Sequence, residues 1–172
     1  MRVPMINDVQ INKLTSIRDS RGELTEIFRC TDFPHNHFKQ SNFVRSKAGV
    51  LRGVHIHNQH TDYLIILEGR ATIGMKDLRS KSDTFGQTFS ITVTGEDITS
   101  LLIPPGVAHG FYFHEPSLHI YQVDEYWDPR DELGCFWADP ELGIEWPESE
   151  VIISERDERL PSLKELLKQL KI

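Results

Sequence analysis

A succession of short β-forming runs, each bounded by turn signals, constrains this chain more than any other feature. The runs fall at 24–28, 41–45, 50–56, 63–67, 71–75, 88–93, 100–103, 110–113, 118–126 and 151–153. Many alternate apolar with polar residues, as in Thr88, Phe89, Ser90, Ile91, Thr92 and Val93. A period of two marks a strand with one buried face. Glu68, Gly69 and Arg70 interrupt two such runs and predict a hairpin turn. Many short strands at regular spacing predict an all-β sandwich or barrel. The exception is the C-terminus. There Ser162 and Glu165 have capping-box spacing, and Leu163, Leu166, Leu167 and Leu170 share one helical face. This predicts a short C-terminal helix packed on the barrel. With 172 residues and no linker-like or repetitive stretch, the expected organisation is one domain spanning 1–172.

Charge and composition exclude several function classes. A net charge of -7 argues against a broad nucleic-acid surface. The longest apolar runs, 63–67 and 100–105, are far too short to cross a bilayer. The first fourteen residues lack the apolar core of a signal peptide. Cys30 and Cys135 stand far apart with no CxxC pattern, as expected of free thiols in a reducing compartment. The expected setting is the cytoplasm.

The densest chemistry lies between Gly49 and Gly69. His55 and His57, two apart on a strand, point to the same side, and Asp62 can reach that spot across a loop. His109 follows Pro104, Pro105 and Gly106. Imidazoles with a carboxylate suit a divalent transition metal, so His55, His57, Asp62 and His109 form a candidate metal set. The same histidines could equally serve as hydrogen-bonding or catalytic groups inside a barrel. The spacing resembles the two metal motifs of the cupin superfamily, with Asp62 where glutamate is usual and Phe113 where asparagine is common.

Blocks along the whole chain extend the resemblance to one cupin family. They are Asp19, Arg21 and Gly22 with Glu26 and Phe28; Phe38, Gln40 and Asn42 running into Gly49, Arg52 and His55; and Asp77, Arg79, Ser82, Thr84 and Gly86. Ile103 to Phe111 follow, then Asp131 to Gly134, Trp137 to Pro140, Leu142 to Pro147, and Ser154 to Asp157. From about residue 8 to the final helix the chain resembles the dTDP-4-dehydrorhamnose 3,5-epimerase family. The resemblance implies a cupin double-stranded β-helix (jelly-roll barrel) with a short C-terminal helix. It implies an isomerase that epimerises C3 and/or C5 of a nucleoside-diphosphate 4-keto-6-deoxy sugar for deoxysugar and polysaccharide precursors. It requires no cofactor.

The resemblance also implies residue roles. His55, paired with Asp157, removes the proton beside the keto group, and Tyr121 returns one on the opposite sugar face. The competing expectation for Asp157 is a salt link within the charged stretch 154–159. Arg21 and Arg52 match positions that bind phosphates or sugar, Gln40 and Asn42 polar contacts, and Glu26 and Phe28 strand positions facing the ligand. His109 and Trp127 complete the implied substrate site. A homodimer is implied, one subunit lending part of its N-terminal segment to the neighbouring site.

Two positions depart from the pattern. The family lysine that stabilises the enolate oxygen falls at Asp62, and His57 stands where glutamine is common. Two explanations follow: a metal supplies the missing charge, or Asp62 is a solvent-facing loop residue and the lysine's role is lost or covered by Lys39 or Lys76. The departures also keep other functions open. These are epimerisation of a different nucleotide sugar or of one carbon only, a metal-dependent cupin dioxygenase or sugar isomerase using His55, His57, Asp62 and His109, and a non-catalytic sugar-nucleotide binding module.

Overall fold

The computed structural model describes residues 6–170. The strands are β1 (Gln10–Lys13), β2 (Ser16–Asp19), β3 (Gly22–Thr25), β4 (Gln40–Ser46), β5 (Leu51–Ile56), β6 (Asp62–Glu68), β7 (Arg70–Asp77), β8 (Thr88–Thr94), β9 (Thr99–Ile103), β10 (Val107–Phe113), β11 (Ser117–Val123) and β12 (Leu133–Gly134). Two short helices follow, α1 (Glu155–Glu158) and α2 (Leu163–Gln169). One five-stranded sheet has the order β1-β9-β6-β11-β4 and the other β12-β5-β10-β7-β8; β2 and β3 form a separate ribbon. The ladders between these strands are antiparallel. This is the jelly-roll barrel expected from the sequence.

The hydrophobic core lies between the two sheets. Leu64, Ile66, Ile73, Met75, Leu101 and Phe113 are fully buried there, each such side chain contributing about 1.5–3 kcal/mol. β6 is apolar from Tyr63 to Leu67 because both of its faces are covered there. Leu64 and Ile66 point inward, while Tyr63 and Ile65 pack outward against Phe33 and Leu102. The outer face of the second sheet is closed by the C-terminal segment, where Val54, Ile56 and Ala108 meet Leu142, Leu163 and Leu166. Both halves of the Ser162–Glu165 capping box form, as predicted.

Several expectations need correction. Glu68, Gly69 and Arg70 do not make a hairpin, since β6 and β7 belong to different sheets. The corner is tight instead: a Cβ on Gly69 (φ 81°) would lie 2.6 Å from the Pro116 carbonyl oxygen. β3 ends at Thr25, so Glu26 and Phe28 lie beyond the strand that was to present them. The pull of an aromatic cluster explains this, for Phe28 packs on Phe33, Phe38 and Tyr63. β11 stops at Val123, leaving Tyr126 exposed. The run 151–153 makes only one bridge, Val50 with Ile152.

One irregularity shapes the site. Along β5 and β10 the partners are His109 with His55 and Phe111 with Arg52, so the register shifts by one residue between them. The extra residue is accommodated at Gly53 (φ 116°), whose Cβ would lie 2.8 Å from Gly110 Cα and 2.9 Å from the His109 carbonyl oxygen. Only glycine fits such a bulge without strain. The bulge turns Arg52 and His55, three residues apart, toward the same cavity.

Candidate active site

The open end of the barrel holds a cavity of about 520 Å³, within the range of small-molecule sites. The second sheet contributes Arg52, His55 and His109 to its wall. The first contributes Gln40, Asp62 and Tyr121. His55 and Tyr121 therefore enter the cavity from opposite sheets.

His55 Nε2 lies 2.8 Å from Asp157 Oδ1. Asp157 is buried in α1, and the Gly53 N–H donates to its second oxygen at 3.3 Å. The Asp157 N–H donates to the Ser154 hydroxyl, which caps the helix. Burial would raise the Asp157 carboxyl, but the His55 hydrogen bond and charge, with the Gly53 N–H, hold it below the usual range. The expected salt link within 154–159 does not claim Asp157. Arg156 pairs with Glu132, and Arg159 with Glu155. An ionised carboxylate behind an imidazole fixes its tautomer and stabilises the imidazolium formed on proton uptake. Across the cavity, burial pushes the Tyr121 phenol up, with Asp62 and Glu132 adding to the effect. It keeps its proton at neutral pH.

Deeper in the wall sits a second cluster. His57, His60 and His109 each place Nε2 3.7 Å from the same atom, Asp62 Oδ2. Burial drives the His57 imidazole down to about 2 and His109 down to about 4, and lowers His60 as well. All three rings are neutral at pH 7. Burial raises the Asp62 carboxyl well above its usual range, and Glu132, Asp124 and Asp131 add to this. Asp62 is thus not a solvent-facing loop residue but the buried start of β6. Neither lysine covers its place: Lys39 pairs with Glu125, and Lys76 donates to the Gly86 carbonyl. Among the described residues no lysine lines the cavity.

The remaining sequence candidates divide in two. Gln40, Arg52 and Trp127 line the cavity, Arg52 near Ser46 and Trp127 at an exposed rim where its backbone N–H donates to the Gln40 side-chain carbonyl. Asn42 lies beside them and accepts a hydrogen bond from Gln40. Arg21, Glu26 and Phe28 do not reach their own chain's cavity. Arg21 pairs with Asp19, and Glu26 with Arg29, both in solvent. The sequence reading missed His60, His119, Glu132 and Arg156, which also line the cavity. For His60 a signal existed, the spacing His57-x-x-His60-x-Asp62. The others arrive through long-range pairing that leaves no local pattern.

The family model for dTDP-4-dehydrorhamnose 3,5-epimerase matches residues 4–165. The dTDP-4-dehydrorhamnose 3,5-epimerase of Escherichia coli is 33% identical over 175 residues, covering 95% of this chain and 94% of its own. Among solved structures, dTDP-6-deoxy-D-glucose-3,5-epimerase from Legionella pneumophila in complex with dTDP-4-keto-L-rhamnose is 31% identical with a TM-score of 0.88, covering 95% of this chain and 94% of that one. A 3'-monoepimerase from Streptomyces bikiniensis in complex with dTDP-quinovose is 26% identical with a TM-score of 0.88, covering 99% and 91%. With this fold, this cavity and a match over nearly its whole length, the chain belongs to the dTDP-4-dehydrorhamnose 3,5-epimerase family.

Proposed function

We propose that the barrel, as one cupin domain, binds a nucleoside-diphosphate 4-keto-6-deoxy sugar and epimerises it at C3 and/or C5. One observation carries the reading: the imidazole of His55, 2.8 Å from the carboxylate of Asp157, faces the phenol of Tyr121 across a ligand-sized cavity. A C–H beside a ketone is acidic when its enolate is stabilised. His55 takes that proton as general base, and Asp157 holds the ring and stabilises its charge. The bond to carbon breaks and its electrons move onto the keto oxygen. Tyr121 then gives a proton to the opposite face, inverting the carbon. Arg52 at the cavity mouth suits a phosphate oxygen, since a guanidinium fork matches its geometry. A metal-dependent dioxygenase would leave the His55–Asp157 pair without a task.

Arg21, Glu26 and Phe28 complete the substrate site in this reading, but in the cavity of a second copy. The exposed Ile17 and Leu24 of the β2–β3 ribbon and Phe43 of edge strand β4 support a homodimer. Its setting is cytoplasmic, in keeping with the free Cys30 and Cys135 thiols. Among the described residues no helix is long and apolar enough to cross a membrane.

The direct test is solvent-deuterium exchange into a dTDP-4-keto-6-deoxy sugar, followed at each carbon by NMR. Label should enter C3, C5 or both, and His55→Asn should slow it by about 10²–10⁴-fold. Label at C3 alone identifies a one-carbon enzyme. No label from any of several 4-keto sugar nucleotides refutes the reading.

A further inference from the structure

A carboxylate oxygen with no partner lies at the centre of three neutral imidazoles. Asp62 Oδ2 is buried and makes no hydrogen bond, yet His57, His60 and His109 each approach it at 3.7 Å through Nε2. Leaving such an atom unsatisfied costs about 1–3 kcal/mol or more. One donor atom each from His57, Asp62 and His109 lies within 4.8 Å of the others.

The far side of each ring is arranged too. His57 Nδ1 faces the Asp131 carbonyl at 3.4 Å and Glu132 at 3.5 Å. His60 Nδ1 faces the Asp131 carboxylate at 3.5 Å, and His109 Nδ1 faces the Val107 carbonyl at 3.0 Å. Every Nδ1 thus has an acceptor, which assigns the proton to that nitrogen and leaves each Nε2 with a bare lone pair turned toward Asp62. Histidines that bind metals are oriented in this way, the second nitrogen donating to a carbonyl or carboxylate. Donors about 2.1 Å from a tetrahedral ion stand about 3.4 Å apart, close to the 3.7 Å between Asp62 Oδ2 and each ring.

We propose that His57, Asp62 and His109, with His60 as a fourth donor, bind a divalent first-row transition ion such as Zn²⁺ in the wall of the cavity. The set differs from the one expected from the sequence. His55 does not join the cluster of donor atoms, its ring being turned through Nε2 onto Asp157, whereas His60 reaches Asp62 and takes its place. Ligation and proton abstraction therefore fall on different histidines. The ion turns a wall that carries Asp62 and Glu132 into a positive centre near the base. There it stabilises an oxyanion on the substrate, a role that rests on the epimerase reading whereas binding does not.

The test uses the full chain purified without a polyhistidine tag or metal column, stripped with chelator and titrated with Zn²⁺. Uptake should reach about one equivalent per chain. Asp62→Asn, which preserves volume, should lose it, while a double variant of exposed His35→Ala and His37→Ala should keep it. Uptake below about a tenth of an equivalent, or uptake that survives Asp62→Asn but not the surface variant, overturns the site. Deuterium exchange by the stripped and loaded chains then reads the role. Loading should raise the rate by about 10²-fold. Equal rates in both forms refute the electrophilic role, and no exchange in either refutes the epimerase reading instead.

Discussion

At the scale of single residues, the two faces of the cavity are chemically unequal, and the inequality is testable. His55 has a carboxylate behind it and can take up a proton. Burial, with Asp62 and Glu132 adding to it, raises the Tyr121 phenol, so the ring holds its proton at neutral pH and has one to give but no site to take one. Tyr121→Phe keeps the ring and removes only the hydroxyl. The base then still opens the C–H bond, but the proton can return only from His55, on the face it left. The expected outcome is solvent deuterium entering the substrate with retained configuration, while formation of the inverted sugar falls by about 10²-fold or more. NMR of the recovered sugar separates the two. Parallel loss of exchange and inversion would show that Tyr121 acts before, not after, the enolate.

At the scale of elements, precision comes from turns that carry no chemistry themselves. The loop from β7 to β8 is gathered on Asp77, which accepts from Arg79 Nε at 2.9 Å, Ser82 Oγ at 2.7 Å and Thr84 Oγ1 at 2.6 Å. Burial alone would raise this carboxyl, but those donors hold it below the usual aspartate range. A carboxyl lowered in the folded state stabilises the fold above its unfolded value, about 3.9, and that contribution fades as pH falls through the lower folded value. Asp77→Asn should cost about 1.5–3 kcal/mol at pH 7, read from urea denaturation. The gap to the unsubstituted chain should narrow below about pH 4; a gap constant across that range would contradict the assignment. This loop was legible in the sequence only as one block of the family resemblance, whereas most strands were legible through their period of two. The Gly53 bulge was not, because register between β5 and β10 is a property of two distant segments. The partner of Asp157 was legible only through the family resemblance, which implied His55, and not from its local pattern. Its neighbours in sequence, Arg156 and Arg159, are claimed by Glu132 and Glu155, and only the fold brings it to His55.

At the scale of the whole molecule, the surface does not match the needs of an isolated chain. Phe43 is 68% exposed on β4, the edge strand of its sheet, where an unpaired backbone invites another strand. Ile17 and Leu24 are similarly bare on the β2–β3 ribbon, which pairs with neither sheet. The same ribbon and the segment after it carry Arg21, Glu26 and Phe28, none of which touches the cavity of its own chain. In the proposed homodimer the ribbon of one subunit would lie along β4 of the other, covering those apolar side chains and carrying Arg21, Glu26 and Phe28 toward its cavity. Light scattering should then give twice the 19.9 kDa chain mass. Phe43→Asp should shift the protein toward monomer and lower the exchange rate together, although Phe43 lies on the outer face of the barrel. Arg21→Ala should weaken binding of dTDP by about 1.5–3 kcal/mol, the value of a charge-assisted contact, and leave the dimer intact. A fully active monomer would break the link between assembly and catalysis, because the ribbon does not line the cavity of its own chain.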